Sequence, residues 1–174
     1  ALSGAAIQAW RAERQSFRAL RPLYDLVTAD NANLVLSPHI LANDRWVWRT
    51  TSFHLPRRMT EIRDGMHFLL PWMRAANPGI VYDSLPDAPS GHLDQRAEAA
   101  AAALLDAAER FHDALTDWRD QGEEGQPPSP GGPSVPLPGG DIAACDEREF
   151  LVRVAHVVSA VHGAKETHGL RRVR

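Results

Sequence analysis

The longest regular pattern in the sequence runs from Ser90 to Gln121, where apolar residues recur alternately three and four positions apart. The recurring residues are Leu93, Ala97, Ala100, Leu104, Ala107, Phe111, Leu115 and Trp118. Because an α-helix has about 3.6 residues per turn, this spacing places them all on one face, as in a coiled-coil seam. Gly122 is a suitable residue to end the helix. A helix this long has to bury its apolar face against other helices, so the pattern predicts an all-α fold.

The amino-terminal segment, residues 2–27, also has apolar residues at helical spacing, with one interruption. Pro22 has no amide hydrogen to donate, so the helix should kink or restart between Leu20 and Pro22. Glu13 lies near the middle of the apolar stripe, where a carboxylate needs a partner. This segment therefore predicts two helical pieces and one misplaced charge.

A second helix is predicted to begin at Ser37, because serine is a good N-cap and Pro38 fits the first helical position. The aromatic and β-branched residues that follow do not continue the helical pattern cleanly. Over residues 45–55 the period fits neither a helix nor a strand. Both conformations remain open there.

A third helix is predicted to begin at Pro56. Its apolar stripe consists of Leu55, Met59, Ile62, Met66, Leu69, Leu70 and Met73. The opposite face carries Glu61 and Asp64, but also Phe68 and Trp72. A bundle helix needs only one apolar face, so either this is the central helix of the bundle or its second face contacts another chain.

Residues 122–140 are rich in proline and glycine, which indicates a long loop or linker. A last helix is predicted from Asp146, which resembles the start of a capping box with Glu149, to Gly163. Residues 164–174 form a basic tail. Together these patterns predict a bundle of four to five helices, mostly antiparallel, with the long loop before the last helix.

The composition fits a single folded domain over residues 1–174, with 44% hydrophobic and 24% charged residues. A net charge of -3 gives no general attraction to nucleic acid or anionic lipid. No apolar run approaches the roughly 18 residues that span a membrane, and no signal peptide is evident. Cys145 is the only cysteine. We therefore expect a cytoplasmic protein that binds no membrane. Most of the basic residues are arginine instead of lysine, which is typical of a GC-rich bacterial genome.

Two helices carry a carboxylate three residues before a histidine, at Asp64 and His67 and at Glu109 and His112. Dinuclear metal bundles use this spacing to aim both side chains into the core. Here Asp64 and Glu109 lie about 160° from the apolar stripes, so both should face solvent, and we expect no metal site and no cofactor. The residues that could still contribute to a metal or ligand site are Glu13, Glu61, Asp64, His67, Glu109, His112 and Asp113.

These observations favour a non-catalytic helical interaction or regulatory module that forms a homo-oligomer, with a dimer as the first expectation and an unknown protein partner also possible. Tryptophan and phenylalanine suit interface hot spots, and the candidates are Phe68, Trp72, Trp46 and Trp48. One alternative is a helical-bundle enzyme that binds a metal or a small ligand. A second is a nucleic-acid-binding regulator using Arg57, Arg58 and the basic tail, which the acidic stretch 113–120 disfavours.

Overall fold

The computed structural model describes residues 4–31, 51–76, 92–122, 130 and 142–170. Within these ranges the chain is helical and contains no strand, so the prediction of an all-α bundle is confirmed. The helices are α1 (Gly4–Ala19), α2 (Arg21–Thr28), α3 (Thr51–Ala76), α4 (His92–Asp120) and α5 (Ala144–Leu170). None of these helices is long and apolar enough to cross a membrane.

The break between α1 and α2 falls at Leu20, as Pro22 predicts. The Leu20 amide still donates to the Ser16 carbonyl at 3.0 Å, and the Tyr24 amide donates to the Leu20 carbonyl at 2.9 Å. Helical hydrogen bonding therefore continues on both sides of the proline, which cannot itself donate. Only Phe17 of α1 is buried, whereas the apolar residues Ala6 and Ala9 of the same helix are exposed.

The core forms where α4 packs against both α3 and α5, while α1 and α2 pack on α3. The α4 stripe is confirmed, with Leu93 and Trp118 half-buried at its two ends and the residues between them buried. Gly122 has a φ of 67° and its amide donates to the Arg119 carbonyl at 3.0 Å. This left-handed conformation favours glycine and ends α4 as predicted.

The predicted starts of α3 and α5 are wrong by a few residues. α3 begins at Thr51, so Pro56 lies inside the helix, where its missing donor forfeits a hydrogen bond to Ser52. α5 begins at Ala144, and the Asp146 amide donates to the Ala143 carbonyl at 2.8 Å, so Asp146 belongs to the first turn instead of capping it.

The predicted end of α5 at Gly163 is also wrong, because the helix continues to Leu170 and includes residues 164–170 of the predicted tail. A single glycine costs a helix only about 1 kcal/mol, which the flanking turns can offset. The predicted helix at Ser37, residues 45–50, Trp46 and Trp48, and the rest of the loop and tail lie outside the described residues. Residues 51–55 are helical.

The second apolar face of α3 is covered in part by α4. Phe68 and Trp72 are half-buried, and their rings lie 4.9 and 5.6 Å from the ring of Phe111. Their contact with Phe111 accounts for both side chains within one chain, so their aromatic character alone does not indicate an interface. α3 therefore has a neighbour on its second face, as the alternative of a central bundle helix predicts, and a contact of Phe68 and Trp72 with another chain stays a prediction.

Candidate functional site

A buried arginine joins α1, α2 and α3. The Arg58 side chain is 2% exposed, and its Nη1 donates a hydrogen bond to the Phe17 carbonyl at 2.7 Å. The guanidinium carbon lies 3.6 Å from the centre of the Phe17 ring and 5.1 Å from that of Tyr24. A planar guanidinium can stack on aromatic rings while it donates hydrogen bonds in its own plane. Arg58 therefore links the carboxyl end of α1 and the middle of α2 to α3.

Glu61 is buried beside it, at 1% exposure, which contradicts the prediction that it lies on an outer face of α3. The reason is that α1 and α2 cover this side of α3. Arg57 Nε donates to Glu61 Oε1 at 3.2 Å. Among the described residues, no hydrogen-bond partner reaches Glu61 Oε2 or the Tyr24 hydroxyl. Helical periodicity did not predict this cluster. Other helices pack on α3 from more than one side, so α3 has no solvent-facing side at Glu61.

The buried residues Arg58 and Glu61, which we call the Arg58 cluster, lie near two groups whose pKa values are shifted. Burial, followed by the negative charge of Glu61, raises the pKa of Tyr24 to about 12. Burial, followed by the positive charges of Arg57 and Arg58, lowers the pKa of His54 below its ordinary value. Both side chains are therefore uncharged at neutral pH. The contacts of Arg58 with Phe17 and Tyr24 place this cluster at the junction of three helices.

Glu13 is half-buried and lines a surface cleft of about 450 Å³ between α1, α3 and α5. An ion pair between Arg63 and Glu147 crosses the same cleft. His67 and His112 do not line it, so the structure does not bring Glu13 together with either histidine. The charges at this cleft are balanced, with Arg148 as its fourth ionic residue.

The other candidate ligand residues are exposed: Asp64, His67, Glu109, His112 and Asp113. The prediction that Asp64 and Glu109 face solvent is confirmed. His112 Nδ1 lies 3.1 Å from Asp30 Oδ2, a contact that joins α4 to the end of α2. In the described ranges no three histidine, cysteine, aspartate or glutamate side chains are placed to hold a metal ion.

One exposed stripe on α1 combines arginine with an apolar residue. Ile7, Arg11, Arg14 and Arg18 follow one another at intervals of four, three and four residues, which places them on one face. Ile7 is 39% exposed, Arg11 and Arg18 are exposed, and Arg14 is half-buried. The Arg14 guanidinium stacks 5.5 Å from the ring centre of Trp10. We call Ile7, Arg11, Arg14 and Arg18 the basic stripe.

An exposed stripe of acidic residues lies on the carboxyl half of α4. Glu109, Asp113, Asp117 and Asp120 are all exposed and share one face of the helix. We call these four residues the acidic stripe. Arg110, which is next to Glu109 in sequence, pairs outside this stripe, with its Nε 2.9 Å from Asp106 Oδ2. Asp113, Asp117 and Asp120 form no ion pair with any described residue.

The model of a family of unknown function, DUF6545, matches residues 9–160. The chain belongs to this family. The DUF6545 region takes in most of α1, all of α2, α3 and α4, and α5 as far as Ala160. It thus includes the Arg58 cluster, the acidic stripe and all of the basic stripe except Ile7. No curated protein and no solved structure matches this DUF6545 chain.

Proposed function

We propose that the chain is a non-catalytic helical interaction module that self-associates, and that the basic stripe of one copy contacts the acidic stripe of another. The observation that carries this proposal is the pair of exposed stripes of opposite charge on two different helices. Each stripe is about 16 Å long, the rise of three helical turns. Equal length and opposite charge let two helices from separate copies lie along one another.

The distribution of charge supports the proposal. The chain as a whole carries a net charge of -3, yet α1 contains Arg11, Arg14 and Arg18 against a single acidic residue, Glu13. Three aspartates of the acidic stripe have no ion pair among the described residues, and Ile7 adds an apolar contact to the basic stripe. Because the two stripes are different surfaces, the contact is heterologous and can add further copies.

The proposal is tested by sedimentation equilibrium of the wild-type chain over a range of protein concentrations. At low salt the average mass should rise with concentration. At about 0.5 M salt, where the Debye length is only a few Å, it should fall towards the monomer. A monomer at every concentration in low salt would contradict the proposal.

Charge reversal identifies the surfaces. The variant R11E/R14E and the variant D113R/D117R should each lose self-association, because attraction at two positions becomes repulsion. We expect a loss of about 2 kcal/mol, roughly thirtyfold in affinity. The control R119E/R148E makes the same change in net charge as R11E/R14E, at exposed arginines outside the basic stripe, and should self-associate like the wild type.

Mixing the two reversed variants tests whether the two stripes bind one another. R11E/R14E keeps a normal acidic stripe and D113R/D117R keeps a normal basic stripe, so an equal mixture should associate again. The two reversed stripes are also opposite in charge, so the average mass of the mixture should rise beyond that of a heterodimer. A chain with all four substitutions should self-associate again. If the mixture remains monomeric, the stripes do not bind one another.

A further inference from the structure

A groove of about 530 Å³ runs between α2 and α5 and shares only Arg18 with the stripes of the proposed self-association. Its floor is a row of apolar residues, Pro22, Leu26 and Ala29, spaced four and three apart so that they share one side of α2 and its last turn. The volume falls within the range typical of small-molecule sites. The groove can therefore hold a small apolar chain along α2.

Polar groups border this floor on both sides. Arg18 and Arg21 lie at one end, and Ser159 and His162 face the floor from α5. Arg21 forms an ion pair with Asp25 at 3.5 Å, but both side chains are more than half exposed. Arg18, Ser159 and His162 have no hydrogen bond or ion pair with the described residues. Arg18, Ser159 and His162 are therefore available to a ligand.

The charge at the groove favours an anion. Two guanidinium groups and an imidazole surround it, against the single carboxylate of Asp25, which Arg21 already engages. A guanidinium binds a carboxylate through two parallel hydrogen bonds, and a hydroxyl can donate a third. The floor is only one row of side chains wide, which suits a single alkyl chain better than a protein helix.

We propose that the α2–α5 groove binds a free amphipathic carboxylate, with the alkyl chain along Pro22, Leu26 and Ala29 and the carboxylate near Arg18, Ser159 and His162. This site goes beyond the proposed self-association, and the two share only Arg18. From Arg18 to Ala29 the groove follows about 16 Å of helix, which accommodates an extended chain of medium length.

Isothermal titration calorimetry of the full chain with decanoate, below its micelle concentration, tests the site. We expect saturable binding of decanoate. Acetate, which has the carboxylate without the chain, and decyltrimethylammonium, which has the chain with a positive head, should bind at least about tenfold more weakly. Equal binding of the cation would overturn the proposal, because it would show an apolar patch without charge recognition. Absence of saturable decanoate binding would overturn it too.

A matched pair of substitutions on α5 locates the site. H162E places a carboxylate at the groove and should weaken decanoate binding about tenfold or more. H156E makes the same change on the same helix at an exposed residue that does not line the groove, and should leave binding unchanged. Equal affinities of the two variants would contradict the assignment. Neither variant alters the stripes, so both should keep the wild-type average mass, which separates this test from that of self-association.

Discussion

At the scale of single residues, the Arg58 cluster shows how a charge is accommodated in the core of this protein. Arg58 donates to the Phe17 carbonyl near the end of α1, and its guanidinium stacks on the Phe17 ring. Arg58 precedes Glu61 by three residues in α3, and both side chains are buried. Removal of Arg58 therefore affects hydrogen bonding, stacking and charge balance together.

We expect R58M to lower the free energy of unfolding by about 3 kcal/mol, because it leaves Glu61 buried with less compensation and the Phe17 carbonyl without its donor. R58K should recover little of this loss, since an ammonium group cannot stack on the Phe17 ring as the planar guanidinium does. The control R63M removes an arginine of α3 whose ion pair with Glu147 is at the surface, and should cost no more than about 1 kcal/mol. Urea unfolding followed by circular dichroism measures all three. Equal losses of unfolding free energy for R58M and R63M would show that the buried contacts of Arg58 contribute no more to stability than a surface ion pair.

The raised pKa of Tyr24 predicts a loss of stability at high pH. A tyrosine whose pKa is raised from 10.0 to about 12 in the folded state holds its proton there after the unfolded chain has released it. Its contribution is complete below pH 10 and is lost as the pH rises to about 12. Over this range the free energy of unfolding of the wild type should fall more steeply than that of Y24F. Parallel curves for the two proteins would show that Tyr24 titrates normally.

At the scale of helices, the approach of α2 to α3 depends on Gly65. A Cβ atom at this position would lie 2.7 Å from Cβ and Cγ2 of Val27 and 2.9 Å from the Val27 carbonyl oxygen. The contacts involve backbone as well as side chain, so a rotamer change cannot relieve them. Gly65 thus permits the close packing that also brings Tyr24 towards the Arg58 cluster.

We expect G65A to lower the free energy of unfolding by about 2 kcal/mol, although alanine is the better helix former by about 1 kcal/mol. G163A is the matched control. Gly163 also lies inside a helix, but a Cβ atom there would have no other atom within 4 Å. It should raise the free energy of unfolding by up to about 1 kcal/mol. Chemical denaturation measures both variants, and a stabilising G65A would refute the close approach.

At the scale of the whole molecule, α4 is the helix on which the bundle is assembled, because α3 and α5 both pack against it. Among the residues of α5 whose burial the structure describes, Val158 is the last fully buried one, whereas Gly163 and Ala164 are exposed. The two ends of α5 should therefore contribute unequally to stability.

Two truncations test this asymmetry. A chain that ends after Ala164 keeps every buried residue of α5 that the structure describes, so its free energy of unfolding should change by no more than about 0.5 kcal/mol. A chain that ends after Ala155 loses Val157 and Val158 and should unfold at least about 3 kcal/mol more easily, if it folds at all. Thermal unfolding followed at 222 nm reports on helix loss in both. Equal stability of the two chains would contradict the described packing of α5.

The sequence by itself determined the helices and most of the core. The stripes of α3, α4 and α5, the break at Pro22 and the end of α4 at Gly122 follow from periodicity and local backbone chemistry, which act between residues a few positions apart. Periodicity also placed Asp64 and Glu109 in solvent. The starts of α3 and α5 were less well predicted, because flanking residues extended each helix past its apparent cap.

Only the tertiary structure decided which faces of the helices are covered. Glu61 lies off the apolar stripe of α3, yet α1 and α2 bury it with Arg58. Phe68 and Trp72 face Phe111 of α4, whereas Ile7 and the arginines of α1 remain at the surface. A helical pattern states which residues share a face, but the number of neighbours around that helix depends on packing between segments distant in the chain. For that reason the basic stripe and the α2–α5 groove became visible only once the helices were assembled.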